Sequence, residues 1–246
     1  MSRRAWVEHH MGMPMSIHLR GRDLTSAEIE KAVRAAYQTL ARMDEIFSTW
    51  ASGSQVSRLR RGELAISDCD PLVAQAARIG EQATEATRGA FTTALPDADG
   101  RPRFDPTGLV KGWAVDLAAA QLRGLPGVSW CINAGGDVLA GRHHHVPPVG
   151  EAAAPWRIGI ENPHDRSQIA RIVPLTDGAV ATSGTAARGA HLYDPASGLA
   201  VGRPGSTSVI GPDLLWADIW ATALFVGGEG TRAAFADHTA YQAVDL

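Results

Sequence analysis

No run of eighteen consecutive apolar residues occurs in the 246-residue chain, so nothing in it reads as a membrane-spanning helix. Basic residues are not in excess. The 23 Lys and Arg stand against 26 Asp and Glu, a net charge of −3, which leaves no electrostatic footprint for nucleic acid. The segment Met1-Ser2-Arg3-Arg4-Ala5-Trp6-Val7-Glu8 lacks the apolar stretch of a secretory signal. Cysteine is scarce: Cys69 and Cys131 are the only two. They can pair in principle, but Cys131 sits in the apolar run Val128-Ser129-Trp130-Cys131-Ile132 and reads as a buried thiol. No internal repeat is visible. What the chain does have is 45% hydrophobic residues, over a length that builds one sizeable core or two small ones.

Residues 15–19 alternate in polarity and read as a strand. Thr25 with Glu28 has capping-box spacing. The helix after it carries Ile29, Val33, Ala36, Tyr37, Leu40, Met43, Ile46 and Phe47 on one stripe. Asp70-Pro71 starts a second helix, a cap followed by Pro in the first turn, which runs to about Thr87 and ends at Gly89. A third helix is expected over 110–122, stopped by Gly124 and Pro126. Strands are then expected at 128–133, 137–140, 156–161, 170–175, 179–182 and 206–211. A helix over 213–226 and a strand near 241–245 close the chain. The 142–155 stretch, with His143-His144-His145, reads as a solvated loop; three consecutive residues cannot all face one ion in regular structure. Helices early and strands late, without strict alternation, indicate an α+β fold with a largely antiparallel sheet packed with helices.

Four segments carry chemistry. In the last helix, Asp218 and Thr222 lie one turn apart on one face of an otherwise apolar stretch. A carboxylate and a hydroxyl at that spacing suit a hard, oxygen-loving cation such as Mg²⁺; the plain alternative is a Thr bonded back to its own helix. Asp105-Pro106-Thr107-Gly108-Leu109-Val110-Lys111-Gly112 opens a helix. There Gly108 lets a ligand approach the backbone, the helix start offers N–H groups to phosphate, and Lys111 supplies a compact cation suited to a pyrophosphate. Asn133-Ala134-Gly135-Gly136-Asp137 follows an apolar strand, and its paired glycines allow a positive-φ turn, whether as a ligand loop or a simple hairpin. His191-Leu192-Tyr193-Asp194-Pro195, with Gly198, holds a histidine of the type used for proton transfer, or else a core histidine bonded to a carbonyl.

In this order, the four segments resemble the ApbE family of Mg²⁺-dependent FAD:protein FMN transferases, and the likeness runs from Met11-Gly12 to about Gly228. The resemblance implies one domain over 1–246, FAD as substrate and Mg²⁺ as cofactor. It also implies a flavin-accepting protein whose Thr or Ser hydroxyl takes FMN while AMP leaves. Asp105 and Lys111 would contact FAD, with Asn133, Asp137 and Tyr193 lining the flavin site. The Gly108 carbonyl would join Asp218 and Thr222 on the metal, and His191 would be the base. Met11 would border the flavin or adenine, and Trp50, in Ser48-Thr49-Trp50, would stack on a ring. Ala90, Phe91 and Thr92 match a segment that usually reads Ala-Phe-Asp. Arg60 stands where the family commonly has Asn, and the stretch between Phe91 and Asp105 is short. Many relatives are exported lipoproteins with a Cys behind an apolar leader; neither feature appears here, so a cytoplasmic member is expected. Two other activities share the same residues: FAD pyrophosphatase, with water as acceptor, and non-catalytic flavin binding, which needs no base at His191.

Overall fold

A computed structural model describes residues 2–97, 99–185 and 192–246. Its first half runs β1 (Ser2–His10), β2 (Met13–Gly21), α1 (Ala27–Phe47), α2 (Gln55–Arg60), α3 (Pro71–Ala86), β3 (Ala94–Pro96), β4 (Pro102–Phe104) and α4 (Thr107–Ala119). Then follow β5 (Ser129–Ala134), β6 (Asp137–Arg142), β7 (Trp156–Asn162), β8 (Asp165–Leu175), β9 (Gly178–Gly184), β10 (Tyr193–Asp194), β11 (Leu199–Ala200) and β12 (Ser206–Gly211). The chain closes with α5 (Leu214–Val226), α6 (Glu229–Ala236) and β13 (Gln242–Asp245).

Seven strands form one sheet in the order β1-β2-β5-β6-β9-β12-β13, and every neighbouring pair in it is antiparallel. Alternation along the strands divides the apolar residues between two faces. On one face, Ile17, Trp130, Ile132, Leu139, Ala181 and Val209 pack beneath α1, α4 and α5 in the main core. On the other, Cys131, Val138, Ala140 and Val180 pack against Ile160, Val173 and Leu175 of the β7–β8 hairpin. The α+β expectation therefore holds.

Several boundaries differ from the sequence reading. Helix α1 is capped by Ser26, whose hydroxyl accepts the Ile29 N–H at 3.3 Å; Thr25 instead bonds to Asp23, so no capping box forms with Glu28. Helix α4 starts at Thr107 and ends at Ala119, about three residues before the expected range at both ends. The 142–155 loop contains a short 3₁₀ turn over Gly150–Ala153, and Arg142 belongs to β6. Strand β1 has no clear apolar alternation because it is an exposed edge strand rich in charge, as edges commonly are. Both cysteines are free thiols, and Cys131 is buried.

Candidate active site

The site forms where α4 meets α5. Gly112 allows the contact: a Cβ there would lie 2.8 Å from the Leu214 carbonyl oxygen and 3.0 Å from Leu215 Cα. One turn further along α4, Asp116 accepts the N–H groups of Leu214 at 3.0 Å and Leu215 at 2.8 Å. These are among the first N–H groups of α5, which have no partner within their own helix. Burial raises the Asp116 carboxyl to about 6, against the opposing pull of those two hydrogen bonds. Asp213 caps the same helix by accepting the Trp216 N–H at 2.8 Å, and it is held in turn by the Tyr241 hydroxyl at 2.6 Å.

This docking lays Lys111 of α4 beside Asp218 of α5. The Lys111 ammonium is ion-paired with Asp137 Oδ2 and lies 3.1 Å from Asp218 Oδ2. Both carboxylates are buried, Asp137 at 4% and Asp218 at 5% exposure. Asp137 is positioned by the β5–β6 hairpin, whose central residues Gly135 and Gly136 have φ of 63° and 108°. Positive φ at both positions is what a tight two-residue hairpin needs. The Asn133 side chain accepts the Gly136 N–H at 3.0 Å and closes that turn, so the segment is a hairpin turn and part of the site wall at once. The second oxygen of Asp137 accepts the Thr182 N–H of β9 at 2.8 Å. Asp218 Oδ2 is different: it is buried and accepts no hydrogen bond from the described residues, so its contact with Lys111 is one of charge. Beside it the Thr222 hydroxyl bonds that of Ser183 at 2.8 Å. Lys111 is one of only two lysines in the chain; the site uses a compact ammonium where nearly every other cation in the chain is an arginine.

These groups border a cavity of about 770 Å³, within the usual range for a small-molecule site. It gathers Ala90, Phe91, Thr92, Asp105, Gly108, Lys111, Asn133, Asp137, Tyr193, Asp218 and Thr222. Gly108 has a packing reason beyond ligand approach, since a Cβ there would meet the Phe91 ring at 3.2 Å. Asp105 accepts the Thr107 N–H at 3.1 Å and its hydroxyl at 2.6 Å, and pairs with Arg60. The Arg60 departure thus has a direct structural partner within the site.

Two expected residues are not brought to the cavity. Met11 sits in the β1–β2 turn at φ 52°, with its N–H on Asp44 Oδ2 at 2.7 Å. Trp50 is 96% exposed. His191 lies outside the described residues, although its neighbours Leu192 and Tyr193 border the cavity. Asp194 is occupied by its own turn, accepting from Ser197 at 2.7 Å and the Ala196 N–H at 2.9 Å; the Ser197 hydroxyl leads in holding its carboxyl below the ordinary value. The sequence reading missed Thr182, Ser183 and Asp116. Two hydroxyls ending the apolar strand β9 were the available signal for the first pair; for Asp116 there was none.

Asp218 and Thr222 offer oxygen ligands, and Asp218 Oδ2 is buried with no hydrogen bond from the described residues, so these two residues suit a hard divalent cation. Among the described residues no group of three or more His, Cys, Asp or Glu could hold a metal, so substrate oxygens and water would complete the shell. No helix of the described residues is long and apolar enough to cross a membrane.

Known proteins resemble this chain in sequence and in fold. The FAD:protein FMN transferase of Vibrio cholerae is 30% identical over 143 residues, covering 54% of this chain and 41% of that protein. The protein of the same name from Haemophilus influenzae is 27% identical over 157 residues, covering 59% of this chain and 42% of its own. The matched stretch thus spans about two fifths of the curated relatives. In structure, the ApbE protein of Thermotoga maritima superposes with a TM-score of 0.81 at 19% identity, over 100% of this chain and 94% of that one. The flavin transferase ApbE of Vibrio cholerae gives 0.78 at 20% identity, over 99% and 93%; at such identities the likeness establishes the fold. The ApbE family model matches residues 92–244, a span that holds Lys111, Asp137, Asp218 and the cavity wall around them, and the chain belongs to the ApbE family.

Proposed function

We propose that the protein is an enzyme that transfers FMN from FAD to a Thr or Ser hydroxyl of a target protein, assisted by Mg²⁺. The observation that carries this reading is the partly exposed Lys111 ammonium between the buried carboxylates of Asp137 and Asp218, on the wall of a cavity large enough for a nucleotide. Curated relatives named as FAD:protein FMN transferases support it. In the reaction, the acceptor oxygen bonds to the FMN phosphorus. The bond from that phosphorus to the bridging pyrophosphate oxygen breaks, and that oxygen leaves with AMP. Lys111 offers positive charge to the pyrophosphate, and Asp137 fixes the ammonium through its own bond to the Thr182 N–H. Asp218 and Thr222, with the Gly108 carbonyl, would hold Mg²⁺, which when bound neutralises charge developing on the phosphates. His191 takes the hydroxyl proton, since a hydroxyl is a poor nucleophile until a base removes it. A single domain over 1–246 is part of the same proposal.

The test is incubation with FAD and Mg²⁺, with and without a candidate acceptor domain, read by mass for FMN addition or free FMN and AMP. Transfer is expected with the acceptor, and Asp218→Ala should abolish Mg²⁺-dependent turnover in a folded protein. Near-full activity of that variant at low Mg²⁺ would remove Asp218 from the metal site. His191→Asn should slow transfer by about 10²–10⁴-fold with FAD affinity kept; poor FAD binding with a normal saturated rate would make His191 a binding residue.

A further inference from the structure

Eight consecutive residues, 156–163, border the cavity, and the first seven are strand β7. Neighbouring side chains in a strand point to opposite faces. Trp156, Ile158 and Ile160 turn into the core against the sheet, whereas Arg157, Gly159 and Glu161 are exposed. Both sets can border one cavity only if the strand presents its edge. Among the described residues that edge is open: β7 pairs with β8 alone, and no other backbone hydrogen bond reaches 156–162. Of β8, only Arg166 borders the cavity, so the cavity lies on the side of β7 away from its partner. Alternate residues of β7 therefore direct N–H and C=O groups into the space that also holds Lys111, Asp218 and Thr222.

An unpaired edge of this length is normally blunted or covered, because it is a template for another strand. We propose that the free edge of β7 receives the hydroxyl-bearing segment of the flavin-accepting protein, as an added strand. This rests on the transfer reading above. An extended polypeptide has donors and acceptors at every second residue, matching the open ladder; a dinucleotide does not. Strand addition also solves a positioning problem, since it holds the hydroxyl residue at a set point along an edge that borders the reaction site. Arg157 is exposed and makes no ion pair among the described residues, so a segment carrying a carboxylate suits this edge.

The experiment uses the whole chain with FAD and Mg²⁺ and a library of nine-residue peptides with Thr fixed at the centre and the other positions varied. Peptides that gain the mass of FMN are then resynthesised with one backbone amide N-methylated at a time, and kcat/KM for transfer is measured. N-methylation removes a donor and blocks the ladder. The expected result is a loss of about tenfold at every second position, near the worth of one hydrogen bond, with little change between. A flat profile, or losses at contiguous positions, overturns strand docking. Cleavage of FAD to FMN and AMP with no labelled peptide also overturns it while leaving FAD cleavage at the site intact. If FAD is not cleaved at all, the function reading fails first and the docking proposal falls with it.

Discussion

Lys111→Met tests the electrostatics at the centre of the site. The substitution keeps an unbranched chain of similar length and removes the charge. Two buried carboxylates, Asp137 and Asp218, would then face one another without the ammonium that pairs with both. Breaking a buried pair by deleting one partner typically costs about 3–5 kcal/mol. Two features reduce that here: Lys111 is 19% exposed, and Asp137 keeps the Thr182 N–H. A loss of roughly 2–4 kcal/mol is expected. At about 2–4 °C per kcal/mol for a chain of this size, Tm should fall by roughly 4–16 °C. Mg²⁺ should raise the Tm of the variant more than that of the wild type, since a bound cation stabilises by RT ln(1 + [L]/Kd) and would no longer compete with the ammonium. Thermal melts with and without Mg²⁺ measure both effects. A Tm within 1 °C of wild type, unaffected by Mg²⁺, would refute the idea that Lys111 balances the two carboxylates.

Gly112→Ala should cost about 1–3 kcal/mol, because the added methyl meets backbone of α5 that cannot step aside, partly offset by about 1 kcal/mol of helix propensity; an equally stable variant in urea melts would show that the helices can separate freely. Asp116→Asn tests linkage. The folded carboxyl lies at about 6, above its ordinary 3.8, so its stabilising contribution is fully present below pH 3.8 and lost as pH rises through 6. The wild type should therefore gain up to about 3 kcal/mol relative to the variant on going from pH 7 to pH 4, and parallel stability–pH curves would contradict this. Trp50→Ala should leave Tm and FAD affinity unchanged, since the ring is almost wholly exposed; a several-fold weaker FAD Kd by fluorescence titration would place the ring on the flavin.

Local sequence was enough for features whose causes act within a few residues. The apolar stripe of α1 carries the expected residues inward, because helical period alone puts them on one face. Asp70-Pro71 starts α3, and Gly135-Gly136 closes a hairpin, each through the backbone preference of the residues involved. Asp218 and Thr222 face the cavity one turn apart for the same reason. The partners of these residues were decided elsewhere. Lys111 meets Asp137 because β6 lies inside the sheet beside β9, and it meets Asp218 because Gly112 lets α5 approach α4. Those contacts join residues far apart in the chain and depend on strand order and helix crossing, which no local period encodes. Trp50 and Met11 show the same limit from the other side: their motif positions were legible, but their distance from the cavity follows from how a loop and a turn sit on the folded core. The edge of β7 left open among the described residues is likewise a property of the packed structure, since a strand's sequence shows its two faces and not which of its edges will find a partner.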